Sequence, residues 1–165
     1  MSAKDMFTEE EWKRVVSAPM LTAMAVTAAD PGGLFSAFQE SAAVAKAIAT
    51  GPQEGDGLIP ELTRTYKSFG DSAGVMETIR AALGEARAPA DVVAASVTEL
   101  ARIASLVTAK LPAEAPAFTA WLIGVAQSVA EAGKEGGFLG FGGTAVSAAE
   151  TATLERLQGA LTGAS

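Results

Sequence analysis

Signals that stop or start a helix recur along this chain at helix-length intervals. Asp30-Pro31-Gly32-Gly33, the Gly/Pro-rich stretch 51–57, Phe69-Gly70-Asp71-Ser72, Pro89, Pro112 with Pro116, and the Gly-rich stretch 136–143 each interrupt the pattern. Between them apolar residues return at three- and four-residue spacing rather than in alternation, as Val93, Val97, Leu100, Ala104 and Val107 do. That punctuation predicts an all-α chain, a compact bundle of about six to eight mostly antiparallel helices without strands. Roughly one residue in five is Ala, the best helix former, which also lets helices approach closely.

The boundaries follow from local chemistry. Thr8-Glu9-Glu10-Glu11 is a capping box, with Phe7 and Trp12 at the positions of a hydrophobic staple. Three Glu suit the positive end of the helix dipole. Pro19 either kinks this helix or starts a second one. A second helix is predicted over 34–50, a short one over 60–68, and others over 73–87, 92–111 with Asp91 as its cap, and from Pro116 through Trp121 to 132. The last helix starts with a second box, Ser147-Ala148-Ala149-Glu150, carries Leu154, Leu157 and Leu161 on one face, and frays at Gly163. Residues 1–165 read as a single helical domain, with the loop at 51–57 separating an N-terminal helical pair from the remainder.

An internal echo links the two ends. A Trp-bearing helix, a Gly-Gly turn with Leu and Phe, then another helix occurs after Trp12 (Gly32-Gly33-Leu34-Phe35) and after Trp121 (Gly136-Gly137-Phe138-Leu139). This is the pattern of a pseudo-repeat of N- and C-terminal hairpins.

Charge and chemistry exclude much. The formal net charge is −7, with Lys and Arg scattered singly apart from Lys13-Arg14, which argues against nucleic acid as a partner. The chain contains neither His nor Cys. It therefore lacks the commonest general base, the commonest transition-metal ligand and the best soft nucleophile. No catalytic constellation, cofactor or metal site is assigned, and a non-enzymatic protein is expected. Glu9-Glu10-Glu11, Glu54 with Asp56, and Glu131 with Glu135 offer oxygen ligands for a hard cation, but solvated caps and loop charges explain them as well. The first residues carry charge and no apolar core, unlike a secretory signal. The longest uncharged runs, 15–29 and 115–130, fall short of the roughly 18 residues of a membrane span. No transmembrane segment and a cytoplasmic setting are expected, with peripheral membrane contact left open.

The least ordinary segment is 136–145, where Phe138, Leu139 and Phe141 are embedded in Gly. Two readings compete. Either these side chains form an exposed loop that docks on a partner, or they tuck back into the core, the commoner fate of large apolar groups. Trp12 and Trp121 read as core anchors, with a ligand-stacking role as the alternative. Tyr66 and Lys67 read as amphipathic surface residues. Ala42, Ala43, Ala45, Ala47 and Ala49 crowd one helix, which places it at the centre of the bundle or under another subunit.

Two stretches resemble the TerB-like helical domain associated with tellurite resistance. Ala28-Ala29-Asp30-Pro31-Gly32 resembles its helix-end element, and Val146-Ser147-Ala148-Ala149-Glu150 with Leu154 its helix-start element. Gly142-Gly143 stand where that family carries an Asp. The resemblance implies an all-α fold and acidic positions for a cation. Three functions are thus expected: an interaction protein using an apolar helical surface and the Phe138/Leu139/Phe141 loop to bind a protein partner or to form a homo-oligomer; a carrier of a small hydrophobic ligand or lipid between helices; and a TerB-like cation-binding stress protein.

Overall fold

A computed structural model describes residues 2–29, 45–46, 48–49, 51–52, 54–68, 72–135 and 148–163. Among them lie a 3-10 helix, Ala3–Met6, and six α-helices: α1 (Glu9–Ala29), α2 (Leu58–Lys67), α3 (Ser72–Leu83), α4 (Pro89–Lys110), α5 (Ala115–Glu135) and α6 (Ala148–Thr162). The all-α bundle is as the punctuation requires, and no described residue is in a strand.

The box at the start of α1 forms in both directions. The Glu11 N–H donates to Thr8 Oγ1 at 3.2 Å, and the Thr8 N–H donates to Glu11 Oε2 at 2.7 Å. The staple closes over it, with the Phe7 and Trp12 ring centroids 6.1 Å apart. α1 then runs without interruption through Pro19, so the proline sits inside one helix and starts no new one. Pro19 has no N–H to give to the carbonyl of Val15, yet its ring is buried, as are Val15, Val16, Ala18, Leu21, Ala25 and Val26. A helix apolar over so much of its circumference belongs at the centre. α1 packs on α3, α4, α5 and α6, most extensively on α4.

Ala45 and Ala49 are exposed and only Ile48 beside them is buried; Ala42, Ala43 and Ala47 lie outside the described residues. α1 has the central place because its β-branched and Leu side chains fill more volume than Ala does.

Other boundaries shift by a few residues. α3 stops at Leu83, four residues before the position expected, because Gly84 adopts φ +53° and its N–H donates to the carbonyl of Arg80 at 3.0 Å. α4 begins at Pro89, with Ala88 as its cap and Asp91 within its first turn instead of at the cap. Proline's fixed φ suits the first helical position, so it opens this helix. α2 starts at Leu58, two residues early. The second capping box and the Gly-Gly turns of the internal echo involve Ser147, Gly32, Gly33, Gly136 and Gly137, which lie outside the described residues.

The core is contiguous. Phe118, Leu122, Val125 and Val129 of α5 meet Leu100, Ile103 and Val107 of α4, Leu157 and Leu161 of α6, and the inner face of α1. On α4 the expected stripe is buried at Val93, Leu100, Ala104 and Val107, while Val97 packs at its edge.

Candidate functional site

Of the two tryptophans, Trp12 is buried in the core against Phe7, in keeping with an anchor. Lys110, at the end of α4, closes this corner. Its ammonium lies 5.7 Å from the Phe7 ring centroid and donates to the Met6 carbonyl at 3.1 Å and to Glu11 Oε2 at 2.7 Å. Hydrogen bonds from Lys110 and Thr8 hold the Glu11 carboxyl below the usual carboxylate range.

Trp121 is half-buried on α5, its ring centroid 6.5 Å from that of Phe118. Its indole nitrogen is buried and has no hydrogen-bond partner among the described residues. A Cβ at Gly51 would stand 3.1 Å from that nitrogen and 3.2 Å from Thr63 Oγ1, so any other residue would push these neighbours back by a few tenths of an ångström. Phe138, Leu139 and Phe141 lie outside the described residues.

Glu9 pairs with Lys13 at 2.9 Å, Glu11 is held as above, and Glu10, Glu54, Asp56 and Glu131 are exposed. No group of three or more His, Cys, Asp or Glu side chains converges among the described residues.

Between α1 and α4 lies a polar seam that the sequence reading did not foresee. Arg14 Nε donates to Glu99 Oε1 at 2.6 Å, and Arg102 Nη1 lies 3.7 Å from Glu99 Oε2. Ser17 and Ser96 are fully buried along these two helices. Ser17 donates to the Arg14 carbonyl at 2.7 Å, whereas Ser96 Oγ has no partner among the described residues. The order of contacts, Glu11 with Lys110 and Arg14 with Glu99, makes the two helices antiparallel.

The other side of α4 is unlike either. Ala90, Ala94, Thr98, Ser105 and Ala109 are exposed on one face, together with Arg102 between Thr98 and Ser105 and Asp91 at its N-terminal end. Thr98 donates to the Ala94 carbonyl at 2.9 Å and Ser105 to the Ala101 carbonyl at 3.0 Å. With their hydroxyls turned onto the helix, Thr98 and Ser105 add little polarity, and the small residues form a low surface beside the exposed Arg102. α4 is long and apolar enough, by length and composition, to cross a membrane: an 18-residue window has mean hydropathy 1.5, of which 39% is buried. The uncharged runs noted in the sequence did not single it out, because Asp91, Glu99 and Arg102 interrupt it.

Comparison with family models, curated proteins and solved structures finds no match to this chain.

Proposed function

We propose that this chain is a non-enzymatic interaction protein that binds a protein partner, or a second copy of itself, through the outer face of α4. The observation that carries the reading is the mismatch on that helix, which is apolar over 18 residues yet only 39% buried within them. The small Ala, Thr and Ser side chains there let another helix approach closely, with the exposed Arg102 at the edge of the contact. The absence of His and Cys supports a role without covalent or acid–base chemistry. Phe138, Leu139 and Phe141 are proposed as a second contact with the same partner.

Ala94→Glu tests the face, because a charge at this exposed position leaves the core untouched. Sedimentation velocity should show self-association of the wild type that the variant loses at unchanged melting temperature. For a partner of another kind, a photo-crosslinking residue at position 94 should capture a protein that the same residue at Gln158, exposed on α6, does not. A wild-type chain that stays monomeric and yields no specific crosslink from position 94 overturns the proposal.

A further inference from the structure

We infer that the occupant of the α4 face is a second copy of this chain, its α4 antiparallel to the first, with Asp91 of each copy paired to Arg102 of the other. The inference rests on the reading of that face as an interface and adds the occupant and its direction.

Asp91 and Arg102 stand eleven residues apart on α4. Eleven residues close three helical turns to within about 20°, so the two charges lie on one line along the helix, about 16 Å apart. Both residues are exposed. The Arg102 side chain is 68% exposed and meets Glu99 only at 3.7 Å. The Asp91 carboxylate enters no ion pair among the described residues. Between the two lie Ala94, Ala95 and Thr98, whose one hydroxyl is turned onto the Ala94 carbonyl. The face is thus a low saddle with an anion at one end and a cation at the other.

Such a face complements itself only when turned end for end. With a two-fold axis midway between Asp91 and Arg102, each Asp91 meets an Arg102, and each Thr98 meets an Ala95 where the backbones cross. A parallel pair sets Asp91 on Asp91 and Arg102 on Arg102, like charge against like. A partner of uniform charge meets one of the two residues in the same way. Exposed ion pairs are individually weak, so they select the direction, while the small side chains between them allow the approach.

The chain has no cysteine, so a single introduced thiol links only to another copy. In the antiparallel pair, position 98 lies about 4.5 Å along the axis from its twin and position 105 about 25 Å. Thr98→Cys should therefore form a disulfide dimer under mild oxidation, and Ser105→Cys should not. Asp91→Lys and Arg102→Glu should each raise the dissociation constant of the dimer about tenfold in sedimentation velocity, and the two combined should restore it. Circular dichroism should show unchanged helix content in all of them. Linkage through both thiols, no linkage through Thr98→Cys, or no rescue in the combined variant overturns the antiparallel pair. Self-association that Ala94→Glu still abolishes would then leave the reading of the face standing. A monomeric wild-type chain overturns the second copy as occupant, and the crosslink from position 94 decides the reading of the face separately.

Discussion

Arg14 and Glu99 share one ion pair but are unequally buried. The Arg14 side chain is 37% exposed and the Glu99 side chain 10%, with 2.6 Å between Nε and Oε1. The two partners therefore have different consequences when removed. Without Glu99, the guanidinium turns outward and is solvated. Without Arg14, the carboxylate stays in the α1–α4 seam with only Arg102, itself 3.7 Å away and largely exposed. Arg14→Met should cost about 2 kcal/mol and Glu99→Met less than ~1 kcal/mol. Urea denaturation of the two variants checks the order; equal costs, or the reverse order, would refute it.

Gly57 is needed for proximity, not for its backbone. Its φ of −77° is open to any residue, but a Cβ there would lie 3.0 Å from Glu114 Oε2. The carboxylate must give by a few tenths of an ångström, which lengthens its hydrogen bond to the Leu58 N–H. Gly57→Ala should therefore destabilise the protein by less than ~1 kcal/mol, a fraction of one hydrogen bond. In a Glu114→Ala background, where the bond is already gone, the same substitution should be nearly neutral. A double-mutant cycle in denaturant measures the coupling, and additivity of the two substitutions would sink this account.

Tyr66 makes stability depend on alkaline pH. Burial pushes its phenol above the ordinary value of 10.0, and the hydrogen bond from the Met20 N–H offsets part of that rise. Between the unfolded and folded values the unfolded chain releases a proton that the folded chain keeps. The contribution is thus complete below pH 10 and is lost progressively as pH rises above it. Denaturation midpoints should fall between pH 9 and pH 11 in the wild type and much less in Tyr66→Phe. Because the chain has one tyrosine, absorbance at 295 nm reports its ionisation directly. Titration of that signal near pH 10 in the folded protein would contradict the enclosure of the hydroxyl.

How much of this was legible beforehand depends on distance along the chain. Thr8 and Glu11 are three residues apart, and their reciprocal bonds follow from spacing alone. The buried row on α4 likewise needs only the helical repeat. Gly84 was passed over because the apolar pattern runs on toward Arg87, and its left-handed φ is what ends α3. The sequence leaves Tyr66 ambiguous, because one polar tip and one apolar ring fit either side of an amphipathic helix. The row of Leu58, Leu62 and Tyr66 was the available signal for its inward placement. The face of α4 went unremarked for a similar reason: Ala, Ser and Thr suit exposed and enclosed surfaces equally.

By itself the sequence determined the helices, because caps, prolines, glycines and the 3.6-residue repeat act within about four residues of each other. It also determined which side chains are missing, since the chain has neither His nor Cys. Only the tertiary structure decided which charged and polar groups meet. Arg14 finds Glu99 across 85 residues, the Leu58 N–H finds Glu114 across 56, and Tyr66 finds Val16 across 50. Those partners depend on how whole helices pack on α1. That packing is settled by buried volume summed over many side chains, and no local spacing encodes it.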